Sequence, residues 1–598
     1  MGSSSFASRA STLALLIGCH VACGSEDPPP PEGGTGGKSS TSGLGGSPAA
    51  SGGSSAGGSS AKGGSSASGA PSTGGSPASG GATTTGGSPG FGGTSAGNAG
   101  AGGSGGASGG SEAAGGSADT GGSGGTDGGS ANTGGSDVGG GGTGGSGGSD
   151  ATGGDAGSGG DGPALCPYEG SVEASGKNWV NGELLEFNDN GGWCWYQDER
   201  VIVDRENGKL IIGSVASGGQ RDKRVEVTHW DIATKTKQLH HIGTMSYTDD
   251  HDVPAIVQRP NGGYIAMWAG HNDDCNSYYS VYEGNSWSMS ASFAWPECST
   301  SSDKKITYAN LWYLGDTVYS YVRSIDTSPH FLASEDGGKS WKLGGRLTST
   351  PRMGYVAGYY KYWGDNQGRL DFFGTEAHPR DNDNSLYHGY IENGKIHDSM
   401  GQVIDDDFAD RQAKQVTNYT TVFKTGTTIN GVRLEHMWNA DLVRYEDGTI
   451  AAIGTGRVTG TGSDDPDKRL LYFRFDGSKW TTTYLARAGT KLYDSEQDYT
   501  GLGALHPDDP RVIYISTPYD PRTDQGDFRG KKEIWKGVTC DNGATFEWEP
   551  VTANSQMDNL RPIVPKWDSK HTALLWLRGT YTSAQSYNFK VVGLIEEH

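Results

Sequence analysis

One pattern constrains the fold more than any other. The stretch WCWYQDERVIVDRENGKLIIGSVAS sets two apolar runs around a tight turn, and six further stretches repeat the arrangement. The turns fall near residues 207, 261, 315, 366, 447, 508 and 569. Each holds Gly, Asn, Asp, Ser or Pro between runs rich in Val, Ile, Leu and aromatics, the signature of a β-hairpin. The spacing is 51 to 81 residues. It leaves room for a second hairpin per unit, such as SLYHGYIENGKI and RLLYFRFDGSKW. A four-stranded unit at this period is a propeller blade, so the expectation is an all-β, seven-bladed β-propeller. SEDGGKSW and CDNGATF read as Asp-box turns on outer hairpins, which favours the propeller over an irregular β-sandwich. The widest interval holds DDDFADRQAKQVTNYTTVFKTGTTING, read as a loop insertion or a longer blade.

The hairpins occupy only part of the 598 residues. Residues 1–23 carry Arg9 and the short apolar run LALLIG before Cys19, as a bacterial lipoprotein signal does. Cys23 is a second candidate for lipidation. The run is too short to span a bilayer. Residues 24–162 are Gly, Ser, Ala and Thr, a disordered linker that cannot bury a core. Residues 163–598 form the expected propeller domain. The expectation is an exported chain, lipid-anchored to the bacterial envelope, on the outer-membrane surface or secreted, and a monomer.

Of the net charge of −22, the ten acids and two lysines of the linker, with Arg9 of the leader, leave −15 on residues 163–598. That acidity argues against nucleic acid as a partner. Five cysteines follow the leader: Cys166, Cys194, Cys275, Cys298 and Cys540. Cys275 with Cys298 is the expected local disulfide. No CxxC spacing occurs.

Chemistry-bearing residues gather where the hairpins open. Folding TDDHDVPAIVQRPNGGYIAMWAGHND about residue 261 sets His251 opposite His271. Folding TYANLWYLGDTVYSYVRS about 315 sets Tyr308 opposite Arg323. If all seven hairpins are equivalent, one face also receives His378, Arg380, Trp438, Arg457, Tyr499 and Arg561, with Tyr362 nearby in the fourth hairpin. Trp438 and Tyr499 suit either stacking on a sugar or packing between blades. Arg561 suits either a ligand or backbone carbonyls. Arginine forks bind carboxylate or sulfate, and aromatics stack on sugar rings, so an anionic polysaccharide is the expected partner.

These residue types allow β-elimination at a uronic acid. A base removes the C5 proton, an acid protonates the leaving oxygen at C4, and a cation neutralises the carboxylate. His251, Tyr308 and Arg323 supply these roles, with His271 orienting or sharing the proton. Hydrolysis would instead call on a carboxylate pair, drawn from Asp249, Asp250, Glu376, Asp441, Glu496 and Asp498. Asp249 and Asp250 also suit a turn. No cofactor is required. A structural Ca or Zn ion, held for instance by His251, His271 and His378, is compatible with the residue types.

The stretches TDDHDVPAIV with AGHND, TYANL with YVR, EAHPRDNDNSLYHGYI, DYTGL with VIYIST, and DNLRPIVP with LLWLRGTY resemble the propeller ulvan lyases of polysaccharide lyase families 24 and 25 and related BNR-repeat proteins. The resemblance spans about residues 190–598. It implies a seven-bladed propeller that cleaves sulfated rhamnose–uronate polysaccharide by β-elimination. His251 and His271 match the family's paired histidines, and Tyr308 and Arg323 its catalytic tyrosine and neutralising arginine. Ala357-Gly358-Tyr359 stands where relatives often carry Arg-Pro-Tyr. Related propellers also include hydrolases of rhamnose–glucuronate or sialidase type, and a non-catalytic surface lectin is the third alternative.

Overall fold

The computed structural model describes residues 172–598, apart from 297, 299–304, 326, 350–357, 463 and 495. The leader with Cys19 and Cys23, the linker and Cys166 lie outside the described residues. The described chain is all-β: seven sheets are arranged as a seven-bladed β-propeller, with short 3-10 turns between some strands.

All seven expected hairpins form, and each supplies the two innermost strands of a blade. Register places their turns as the sequence does: Gln258 pairs with Tyr264 about residue 261, and Arg444 with Ile450 about 447. Inner strands such as Ala255–Gln258 and Leu311–Leu314 are buried on both faces, which explains their unbroken apolar runs. Outer strands such as Thr236–Thr244 are mostly exposed and polar. The wide interval after residue 366 is a longer blade. It adds Leu386–Glu392, Lys395–Asp398, Val403–Asp405 and Thr420–Phe423 to one sheet.

Both Asp boxes form. Asp336 accepts from the amides of Lys339 (3.0 Å) and Ser340 (2.9 Å), with Gly337 and Gly338 at φ of 71° and 85°. Asp541 accepts from the amide of Thr545 at 2.8 Å, and Phe546 packs edge-on to Tyr472. The ring closes by strand exchange between the chain's ends. Leu185–Asn188 pairs with Ser586–Glu597, so an early strand completes the last blade. Cys275 and Cys298 form the expected disulfide, with Cα atoms 5.5 Å apart. Cys540 is also disulfide-bonded, and Cys194 is free and buried.

At the turn end of the axis, Glu199 sits at the base of a cavity of about 540 Å³ lined in part by Trp312, Trp363 and Lys566. Burial and the neighbouring Asp198 raise its pKa from the usual 4.5 to about 8, against the pull of Lys361 and Arg200. The folded chain therefore holds a proton there that the unfolded chain releases between about pH 4.5 and 8. Its contribution is full below that window and declines as pH rises through it. Glu199→Gln removes the linkage. The melting temperature of the variant is expected to fall less than the wild type's between pH 5 and 8; parallel curves would contradict this.

Candidate functional site

The site lies at the other end of the inner strands, where the chain enters each blade. His251 stands in the 3-10 turn Asp250–Asp252 just before the inner strand of blade 2, and His271 just after its partner strand Tyr264–Ala269. The hairpin register brings the two rings into a stack, with centroids 4.0 Å apart and planes 23° apart. Their environments differ sharply. His251 is 2% exposed. Its Nδ1 lies 2.5 Å from Asp249 and 2.9 Å from Asp250, and its Nε2 lies 3.2 Å from the Tyr499 hydroxyl. The His271 side chain is 26% exposed and meets only Asp249 through Nδ1, at 3.1 Å.

Two imidazolium rings about 4 Å apart would repel by about 4 kcal/mol at an effective dielectric of 20. In the resting site, with Tyr308 protonated, both rings are therefore not charged together. Burial opposes charge on His251, but Cys194, the Tyr499 hydroxyl, Asp249 and Asp250 overcome it and hold its pKa well above the usual histidine range. Burial, and then the adjacent His251, lower the pKa of His271, with Asp249 pulling the other way. The pair is one cation below and one neutral ring above.

Tyr308 and Arg323 join them from blade 3. The Tyr308 ring centroid is 5.8 Å from that of His251, and the Arg323 guanidinium carbon is 4.9 Å from the Tyr308 ring. An isolated bridge pairs Thr307, not Tyr308, with Arg323: the register of the strands Leu311–Leu314 and Thr317–Ser324 slips by one residue before the strand begins, so Tyr308 is beside Arg323 rather than directly opposite it. Tyr308 adopts φ of 71°, a left-handed conformation rare for an aromatic residue. Such backbone costs on the order of 1–3 kcal/mol and is concentrated at functional sites. Burial and Tyr359 push the Tyr308 phenol well above its usual pKa, with Arg323 and His251 opposing, so the phenol keeps its proton. Arg323 Nη1 donates to the Tyr359 hydroxyl at 2.8 Å.

The remaining expected residues divide. Tyr499 belongs to the cluster through His251. His378 packs edge-on to Tyr359 (4.9 Å) and Trp438 (5.4 Å), and burial lowers its pKa to about 3. Trp438 is buried beneath them. A bulge in the inner strand of blade 5 turns Trp438 and Asn439 inward. Arg380 is at the rim, but Asp381 (2.9 Å) and Glu496 (2.6 Å) already engage it.

Three residues correct the sequence reading. Tyr362 is not at the rim: it stacks on Tyr321 at 5.0 Å in the layer between blades 3 and 4, because strand alternation points it away from the axis. Arg457 is committed to buried Asp498 at 2.6 Å. Arg561 is 1% exposed and sits beneath the site, where a bulge in the inner strand of blade 7 aims it at Asp250, 2.6 Å away. The base role read for His251 also meets an obstacle, since both its ring nitrogens are engaged and buried. The ring that reaches the surface is His271.

Sequence reasoning gave no role to Tyr359 and read Asp249 and Asp250 either as turn residues or as members of a hydrolytic carboxylate pair, with no link to the histidines. They are turn residues and histidine partners at once: Asp249 caps the 3-10 turn on the amide of His251 (3.0 Å) while meeting both imidazoles. The position of Tyr359, just before an inner strand as Tyr308 is, was the available signal. Of the other carboxylates, Glu496 gives Oε1 to Arg380 and leaves Oε2 buried without a hydrogen bond, and the remaining three are occupied. Glu376 accepts from the Ser385 amide and the Tyr387 hydroxyl, Asp498 pairs with Arg457 and Lys468, and Asp441 accepts from the Leu505 amide near the opposite end of the axis. Metal-ligand atoms cluster in Cys194, Asp250 and His251, and in Asp249, His251 and His271. Arg561 pairs with Asp250 Oδ2, and both His251 nitrogens are engaged, while the buried Asp250 Oδ1 makes no hydrogen bond. His378 belongs to neither cluster.

No family model and no curated protein matches the chain. Similar solved structures include a family PL25 ulvan lyase bound to -[GlcA(1-4)Rha3S]-, with 13% identity and a TM-score of 0.49, covering 68% of this chain and 94% of that one. The polysaccharide lyase Uly1 is similar at 12% identity and a TM-score of 0.42, covering 70% and 93%. The NanB sialidase of Streptococcus pneumoniae is similar at 11% identity and 0.34, covering 68% and 70%.

Proposed function

We propose that this chain is a polysaccharide lyase that cleaves a uronate-containing, ulvan-like polysaccharide by β-elimination. The observation that carries the reading is the convergence of a neutral histidine, a protonated tyrosine and an arginine at one end of the propeller axis. The engagement of Glu376, Asp441 and Asp498 by other groups supports elimination over hydrolysis.

In this mechanism Arg323 forks the uronate carboxylate and draws charge from C5 as it develops. His271 Nε2 takes the C5 proton. The electron pair forms the C4–C5 double bond as the C4–O bond breaks, and Tyr308 gives its proton to the leaving oxygen. The tyrosinate left behind is stabilised by Arg323 and the His251 cation until it regains a proton. Tyr359 orients Arg323. His378 and Trp438 shape the floor. The lipoprotein-type leader and long linker suit an exported, lipid-anchored enzyme that meets its polymer outside the cell.

Tyr308→Phe keeps the ring and removes the proton donor. It is expected to lower the rate on the order of 10² or more while leaving the melting temperature unchanged. Mass spectrometry of the wild-type products is expected to find new non-reducing ends one water lighter than hydrolysis gives. Products of hydrolytic mass, or full activity in Tyr308→Phe, would overturn the reading.

A further inference from the structure

We propose that Asp249 is a positioning residue that fixes the proton on Nδ1 of both stacked histidines and so leaves Nε2 of His271 as a free base. The inference rests on the elimination reading for its consequence, but its geometry stands apart from it.

One carboxylate serves both rings. Asp249 Oδ1 is 2.5 Å from His251 Nδ1, and Oδ2 is 3.1 Å from His271 Nδ1. An ionised carboxylate only accepts, so each Nδ1 must carry a proton. For His271, neutral and with its proton on Nδ1, the lone pair is then on Nε2. For His251 the other nitrogen faces the Tyr499 hydroxyl, and the second carboxylate, Asp250, makes this ring the charged one. Asp249 itself is fully buried, held by the His251 amide, and approached by Gln585 Nε2 at 3.4 Å. The two histidines draw it well below the usual carboxylate range against the effect of burial, so it stays ionised.

The backbone fixes the second ring as well. The His271 amide donates to Asp252 Oδ1 at 2.8 Å, and the Tyr247 hydroxyl donates to its carbonyl at 2.6 Å. The charged or titratable groups around His271 include His251, Asp249, Asp252 and Tyr247, His378 from blade 4, and Arg323 from blade 3, whose positive charge disfavours its protonation. A cation stacked beneath and an arginine beside it keep His271 neutral, and the shared carboxylate sets its tautomer. Orienting partners of this kind are worth on the order of 10–100-fold where they serve metal-bound histidines.

The test uses residues 163–598 and the near-isosteric variant Asp249→Asn. Imidazole nitrogen NMR of the wild type is expected to find His271 neutral with its proton on Nδ1, and His251 charged, through pH 6–8. In Asp249→Asn the amide offers one acceptor, so the two rings lose their shared tautomer and the His271 pKa moves. With an eliminated product as readout, the variant is expected to lose about 10–100-fold in kcat with KM little changed and to shift the acid limb of the pH profile. A uniform loss at every pH with wild-type tautomers would indicate that Asp249 only caps the turn, and would overturn the inference. So would a wild-type His271 carrying its proton on Nε2. If Asp249→Asn fails to fold, the wild-type spectrum alone decides. Absence of any unsaturated product would overturn the elimination reading, while the tautomer measurement would still judge the role of Asp249.

Discussion

His271→Ala is expected to leave a folded propeller that has lost the proposed elimination. The rate is expected to fall by about 10²–10⁴, the range a positioned general base contributes. The side chain is partly exposed, stacks on His251 and meets Asp249, so its removal opens toward solvent rather than as a closed cavity in the core. His251→Ala is expected to behave differently. It removes a buried ring from between two carboxylates and leaves Asp249 without its charged partner, while Asp250 keeps only Arg561 as a cation, which lowers stability as well as rate. Comparing melting temperatures of the two variants separates the roles. Equal destabilisation, or activity surviving in His271→Ala, would return the base role to His251.

The second large effect is on the fold. Phe187 is fully buried on the strand Leu185–Asn188, edge-on to Trp230 at 4.9 Å and packed among residues of the first and last blades. Phe187→Ala is expected to cost about 3–5 kcal/mol, the range for a buried aromatic truncated in a core that cannot collapse. The strand carries an added role, since it joins an early segment to the last blade. Denaturant titration checks this: a loss under about 1 kcal/mol would place the residue at a surface and deny closure by strand exchange its part in stability.

The fold was legible because hairpins are local. A turn such as Pro260-Asn261-Gly262-Gly263 and two apolar runs fix register within a few residues, and seven repeats of that motif leave few architectures. The same register logic placed His251 on His271 and Tyr308 near Arg323. It failed where position depends on irregularity or on distant partners. Tyr362 alternates away from the axis, and only the strand's pleat says so. Arg561 reaches Asp250 through a bulge, and Arg457 finds Asp498 across blades; neither partnership has a local signature. The exposure that separates His271 from His251 comes from how many blades crowd each ring, which no linear pattern carries. Asp249 reads as a turn residue because it is one, and its second task appears only when both rings are in place.

The most direct measurement is ultraviolet absorbance of residues 163–598 mixed with ulvan, run beside His271→Ala. The account predicts a rising signal from the C4–C5 unsaturated uronate with the wild type, and none with the variant. New reducing ends without that absorbance, or a signal equal in both proteins, would contradict it.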